Sequence, residues 1–135
     1  MVPKAIVTLL CGVGLYASLF MLAKTLRAQR GELLERSVVE TPRARLFAGL
    51  PNALLGAAYY AALAGAVWTV ATPAVAVIVL TAAACAALTS GFLAYSLLFV
   101  TRRPCGFCWT AHAINWCLAL LCARIYYPEI LSSTR

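Results

Sequence analysis

Between Arg45 and Arg102 no side chain carries a charge. The run is too long for one membrane crossing, which takes about 20 apolar residues. It has a natural break at Thr72-Pro73, because proline lacks the backbone donor and clashes with the preceding turn. Two helices are therefore expected, at about 49–71 and 74–100. The connection between them is tight, which predicts antiparallel packing. Gly49, Gly56, Gly65 and the many alanines offer smooth surfaces for close approach.

A second uncharged run covers residues 5–23, bracketed by Lys4 and Lys24. It is long enough to span a bilayer core. A cleaved signal peptide would have a shorter apolar region, about 7–15 residues, and then a small-x-small site. A third apolar run is read as a helix from about 104 to 126, with Pro104 at its first position. Tyr126-Tyr127-Pro128 reads as an interfacial aromatic anchor followed by a stop. The expected fold is an all-α membrane protein, a single domain over residues 1–135 built as a bundle of four transmembrane helices. One long polar loop, 24–48, joins helices one and two.

Composition agrees. Hydrophobic residues make up 64% of the 135 and charged ones 11%, against about 25% charged in soluble domains. The net charge of +7 sits in short runs beside apolar segments. Anionic lipid headgroups of the bilayer are the partner this suits. No basic stripe interleaved with aromatics points to nucleic acid. The polar segment 24–45 carries Lys24, Arg27, Arg30, Arg36, Arg43 and Arg45 against Glu32, Glu35 and Glu40. A weak apolar stripe of Leu33, Leu34, Val38 and Val39 makes a short amphipathic helix in the headgroup layer one reading. A solvated loop is the other. Pro42 ends any helix before it.

Four crossings put both termini on one side and the polar loop on the other, together with Cys105-Gly106-Phe107-Cys108. The loop can then fold over this pair. Cys11, Cys85, Cys117 and Cys122 sit inside apolar runs, where a thiol behaves as a small hydrophobe. Cys105 and Cys108 differ. At i, i+3 on a helix they share a face and can bridge. The helix N-terminus and Arg102-Arg103 favour the thiolate of Cys105, the species that attacks disulfides and electrophiles. The pair reads as a thiol–disulfide redox centre. A structural metal site needs two more ligands, of which His112 supplies at most one. Unpaired filler is the remaining alternative.

Cys105, Cys108, His112, Asn115 and Cys122 fall on one face of the fourth helix, and polar side chains inside a membrane tend to face the bundle interior. His112 is suited to bonding a quinone or carbonyl oxygen, or to shuttling the proton that thiol chemistry releases. An interhelical hydrogen bond competes with this for His112 and more strongly for Asn115. Cys122 reads as packing. Asn52 is suited to meeting a ligand carbonyl, capping helix two or holding the loop, since a buried amide needs a partner.

The chain resembles the vitamin K epoxide reductase family of membrane quinone-linked thiol oxidoreductases. The likeness is carried by Gly14-Leu15-Tyr16-Ala17, by the run from Pro51-Asn52 through Gly56 to Tyr59-Tyr60, by Phe92–Val100, and by Cys105-x-x-Cys108 followed by His112-Ala113-Ile114-Asn115. The resemblance implies a four-helix bundle around a quinone (menaquinone or ubiquinone). Cys108 would face the quinone and Cys105 would exchange disulfides. Asn52, His112, Asn115 and Tyr59 would line the quinone site, and a thioredoxin-like protein or other thiol donor would be the partner. Thiol oxidation by quinone, or its reverse, uses the same residues.

The family's usual second cysteine pair, in the loop after helix one, has no counterpart: no cysteine lies between Cys11 and Cys85. A partner would have to reach Cys105 directly, and a non-catalytic quinone- or lipid-binding protein is the competing function. A heavy-metal carrier using Cys105, Cys108 and His112 is a third. The resemblance places the protein in a cell membrane, prokaryotic in the first instance, with its active face outside the cytoplasm. The positive-inside rule favours a cytoplasmic face, because the six basic residues of the loop, with Arg102 and Arg103, face Lys4, Arg124 and Arg135 at the other end.

Overall fold

The computed structural model describes residues 1–33, 37–46, 49–69, 72–102 and 105–133. Among these the chain is helical and has no strand. Four α-helices run in order: α1 (Val2–Gln29), α2 (Asn52–Thr69), α3 (Pro73–Tyr95) and α4 (Gly106–Ser133). Three segments, Val2–Gln29, Pro73–Thr101 and Gly106–Ser132, are long and apolar enough to cross a membrane. These spans fit an integral membrane protein.

α1 is longer than its uncharged run. It takes in Lys24 to Gln29 and ends at Gly31, whose φ of +70° suits the left-handed closing residue. The N–H of Glu32 reaches back to the carbonyl of Arg27 at 3.0 Å and that of Gly31 to Ala28 at 3.1 Å, which closes the helix in a Schellman turn. The basic residues of this last turn sit where the helix dipole favours them. The polar connection is correspondingly shorter than the expected 24–48. Its described part holds two 3-10 turns, Val38–Glu40 and Pro42–Ala44, in place of one amphipathic helix. Leu34, Glu35 and Arg36 lie outside the described residues.

Thr72 caps α3 through its hydroxyl, which accepts from the N–H of Val75, and Pro73 takes the first turn. The end of α3 widens into a π-helical turn, Ser96–Thr101, and Arg102 follows in the left-handed region at φ 50°, a conformation that costs a non-glycine residue roughly 1 kcal/mol. Arg103 and Pro104, the expected start of helix four, lie outside the described residues. The stop expected at Pro128 does not occur: α4 passes through Pro128 to Ser133. Proline removes one helical donor, and Ile130 beyond it packs against the core, which holds the last turn in line.

Packing joins α1 to α2, α1 to α4 and α3 to α4. The expected antiparallel α2/α3 pair is not among these. α2 is drawn to α1 instead, because α1 has the small residues that receive it. A Cβ on Gly14 would meet the Tyr60 ring at 2.5 Å, and one on Gly56 would meet the Ser18 hydroxyl at 2.9 Å. Gly65, by contrast, has open space beside it. The dry core gathers Val7 and Cys11, Leu63 and Val67, Ala76, Val79 and Ala83, and Leu118, Cys122 and Tyr126. All of these lie in the half of the bundle away from the polar connection. In that half Lys4 and Ile6 share a cleft with Leu121 and Arg124, so the start of α1 lies beside the end of α4. The other half is hollow.

Candidate functional site

The start of α4 is built by its cysteines. Cys105 stands just before the helix, and its carbonyl accepts from the N–H of Trp109 at 3.1 Å. Its sulfur accepts from the N–H of Cys108 at 3.3 Å, the capping bond that a serine or aspartate usually makes. The two Cα atoms are 5.2 Å apart and the sulfurs lie at disulfide-bonding distance. Between them, Phe107 stacks on Phe20 of α1 with centroids 4.1 Å apart. This ring contact ties the Cys-x-x-Cys turn to α1.

Behind the pair lies a cavity of about 370 Å³ with a mostly apolar wall, lined by α1, α2, α3, the π turn, α4 and both 3-10 turns. Its size suits a small ring system. The polar connection forms part of its wall through Val38, Val39, Thr41 and Arg43, so it folds over this end of the bundle. Cys108 lines the cavity and Cys105 does not. The cysteines thus differ in position: one faces the chamber and the other lies outside it, half-buried.

The four residues expected around a quinone all line this cavity, but they divide into two kinds. Asn52 and Asn115 are already engaged. The Asn52 carbonyl accepts from the N–H of Leu46 at 3.0 Å, and its amide donates to the Arg43 carbonyl at 2.7 Å. It therefore holds the connection over the helix, one of the alternatives its position left open. The Asn115 carbonyl accepts from the Tyr60 hydroxyl at 2.8 Å, and its amide donates to the Ser90 hydroxyl at 2.7 Å. It knots α2, α3 and α4 together. His112 and Tyr59 are the opposite case. Both ring nitrogens of His112 and the hydroxyl of Tyr59 are buried without a hydrogen-bond partner among the described residues. A buried polar group left unpaired costs about 1–3 kcal/mol. Three such atoms on the wall of one cavity suit a ligand that carries oxygen atoms.

Sequence reasoning passed over several residues here. Tyr60 also donates to the Ala111 carbonyl at 3.2 Å, and Ser90 is the acceptor that completes the Asn115 knot. Cys85, expected to behave as a small hydrophobe within its apolar run, lines the cavity. Arg43, one cation among six in the loop, is the only charged residue among the described ones on the cavity wall. The adjacent hydroxyls of Thr89 and Ser90 in an alanine-rich helix are the available signal. Cys122 and Cys11 are buried in the dry core, and Cys117 faces outward. Among the described residues no three His, Cys, Asp or Glu side chains converge as metal ligands. Cys105, Cys108 and His112 therefore do not form such a group.

No curated protein matches the chain. The model of the Vitamin K epoxide reductase family matches residues 5–123, nearly its whole length. The chain belongs to the vitamin K epoxide reductase family.

Proposed function

We propose that the protein is a quinone-coupled thiol–disulfide oxidoreductase that uses the Cys105/Cys108 pair. Family membership supports thiol oxidoreductase chemistry in general. The observation that carries the quinone reading is the chamber in which Cys108 shares a wall with the unpaired nitrogens of His112 and the unpaired hydroxyl of Tyr59. A membrane quinone, menaquinone or ubiquinone, supplies an acceptor for two electrons and two protons, so two thiols become one disulfide as hydroquinone forms. In this reading Cys108 is the inner sulfur and Cys105 exchanges disulfides with a thiol donor that reaches it without a loop cysteine relay. His112, one helical turn inward of Cys108, bonds a ring oxygen or carries the thiol proton to it. Tyr59 bonds the other oxygen. Asn52 and Asn115 act through the loop and the helices they hold.

The domain is read as one unit over residues 1–135, with α2 as the fourth crossing. At 18 residues α2 is roughly 27 Å long, close to a hydrocarbon core of about 30 Å. The side of the membrane follows from labelling reduced Cys105 with an impermeant maleimide in intact and in opened cells. Labelling only after opening places this end in the cytoplasm, as its basic residues favour.

Reduced protein is trapped with a maleimide mass tag before and after quinone is added. Loss of both free thiols at Cys105 and Cys108 is expected. If the thiols stay reduced while quinone binds, the protein is a non-catalytic binder, the reading that the absent loop cysteines favour.

A further inference from the structure

Among the described residues, Arg43 is the only charged side chain on the cavity wall. It is half-buried, and one guanidinium nitrogen donates to the Ser96 hydroxyl at 2.9 Å. Its guanidinium carbon lies 5.7 Å from the centroid of the Phe92 ring. Among the described residues it makes no ion pair: Glu32 serves Arg27 and Arg30, and the Glu40 carboxylate accepts from the N–H of Ser37. A guanidinium has five N–H donors, of which Ser96 takes one. A cation drawn off the surface into an apolar chamber is costly unless an anion meets it. Here Ser96 and Phe92 fix the group in place without neutralising it.

We propose that Arg43 makes the cavity select a ring that carries negative charge on an oxygen. This deepens the quinone reading and rests on it. The chamber's lining explains why. The other polar side-chain atoms on the described wall are hydroxyls, amides, the sulfurs of Cys85 and Cys108 and the two nitrogens of His112, so among the described residues Arg43 is the one fixed positive charge a bound ring would meet. In a half-open but largely apolar site its attraction is less screened than in water. Because the same residue's carbonyl accepts from Asn52, the charge comes into place together with the loop. A ring oxygen that gains negative charge as it is reduced would be held more tightly than the neutral ring.

The test uses the full chain in lipid nanodiscs and two rings of matched size. One is 2-hydroxy-1,4-naphthoquinone, whose hydroxyl is ionised at neutral pH; the other is the neutral 2-methyl-1,4-naphthoquinone. Binding is read by calorimetry, with no turnover required. The expected result is a preference of about tenfold for the anion, the order of one weakly screened charge pair. Arg43→Gln removes the preference and leaves the neutral ring's affinity within about threefold. Arg43→Lys, which keeps the charge but not the fork of donors, retains most of it and is the comparison to use if the glutamine variant does not fold. Equal loss of both rings in Arg43→Gln would overturn the proposal, leaving Arg43 as a rivet for the loop. So would a wild-type protein that binds both rings alike. Failure of either ring to bind the wild-type protein is a different result, since it removes the quinone reading itself.

Discussion

The two halves of the bundle use the same helices in opposite ways. Away from the loop, Val7, Leu63, Val67, Leu118 and Cys122 close into a dry core. Toward the loop the helices separate around a chamber whose wall holds hydroxyls, amides, an imidazole and a thiol. Apolar packing in a bilayer has little hydrophobic drive, so the closed half owes its cohesion to van der Waals fit. The open half is held by hydrogen bonds between helices, chiefly the Tyr60–Asn115–Ser90 chain. Dry packing and polar contacts are therefore segregated along the helices. A substitution should disturb one or the other according to its depth.

The largest effect expected is in the open half. Cys108→Ser or Cys105→Ser should reduce quinone-dependent thiol oxidation to background while thermal unfolding in detergent stays near wild type. Turnover that survived in both variants would remove the pair from the mechanism. In the closed half, Leu118→Ala should cost about 2–5 kcal/mol of stability, as buried leucine truncations do, and leave ring affinity within about twofold. A selective loss of affinity instead would mean that the halves are not separate. His112→Ala inverts the pattern. It removes two unpaired buried nitrogens, so stability should hold or rise slightly, while quinone affinity falls about tenfold or more, read by titration in nanodiscs. The smallest effect belongs to the boundary: Tyr60→Phe deletes the bond to Asn115, worth about 1 kcal/mol, and should lower stability and affinity together.

In the open half the candidate residues are easier to read from sequence than the contacts they make. Charge-free runs locate apolar helices because carrying a charge into hydrocarbon is costly, and Cys105, Cys108 and His112 stood out because polar atoms are rare there. The fate of an amide is different. Asn52 and Asn115 carry the same group as any ligand-binding asparagine, and only the coordinates reveal that Leu46, Arg43, Tyr60 and Ser90 already occupy them. The α2/α3 pairing failed for a related reason. A short connection fixes where two helices meet at one end, but steric fit decides which faces close, and Gly14 and Gly56 direct α2 to α1. Proline removes a donor, which makes Pro128 look like a stop. One missing bond was not enough to end a helix whose next turn is packed.

The fit of Tyr60 over Gly14 has a consequence for how this sequence can drift. The ring fills the space a side chain at position 14 would need, and its hydroxyl meets Asn115 on another helix. A larger residue at 14 would need a smaller one at 60, and that change would strand the amide at 115 and, through it, the hydroxyl at 90. Four positions on four helices are thus not free to vary one at a time. Substitutions among them should be inherited as sets, and a chain that breaks one member should carry a repair at another.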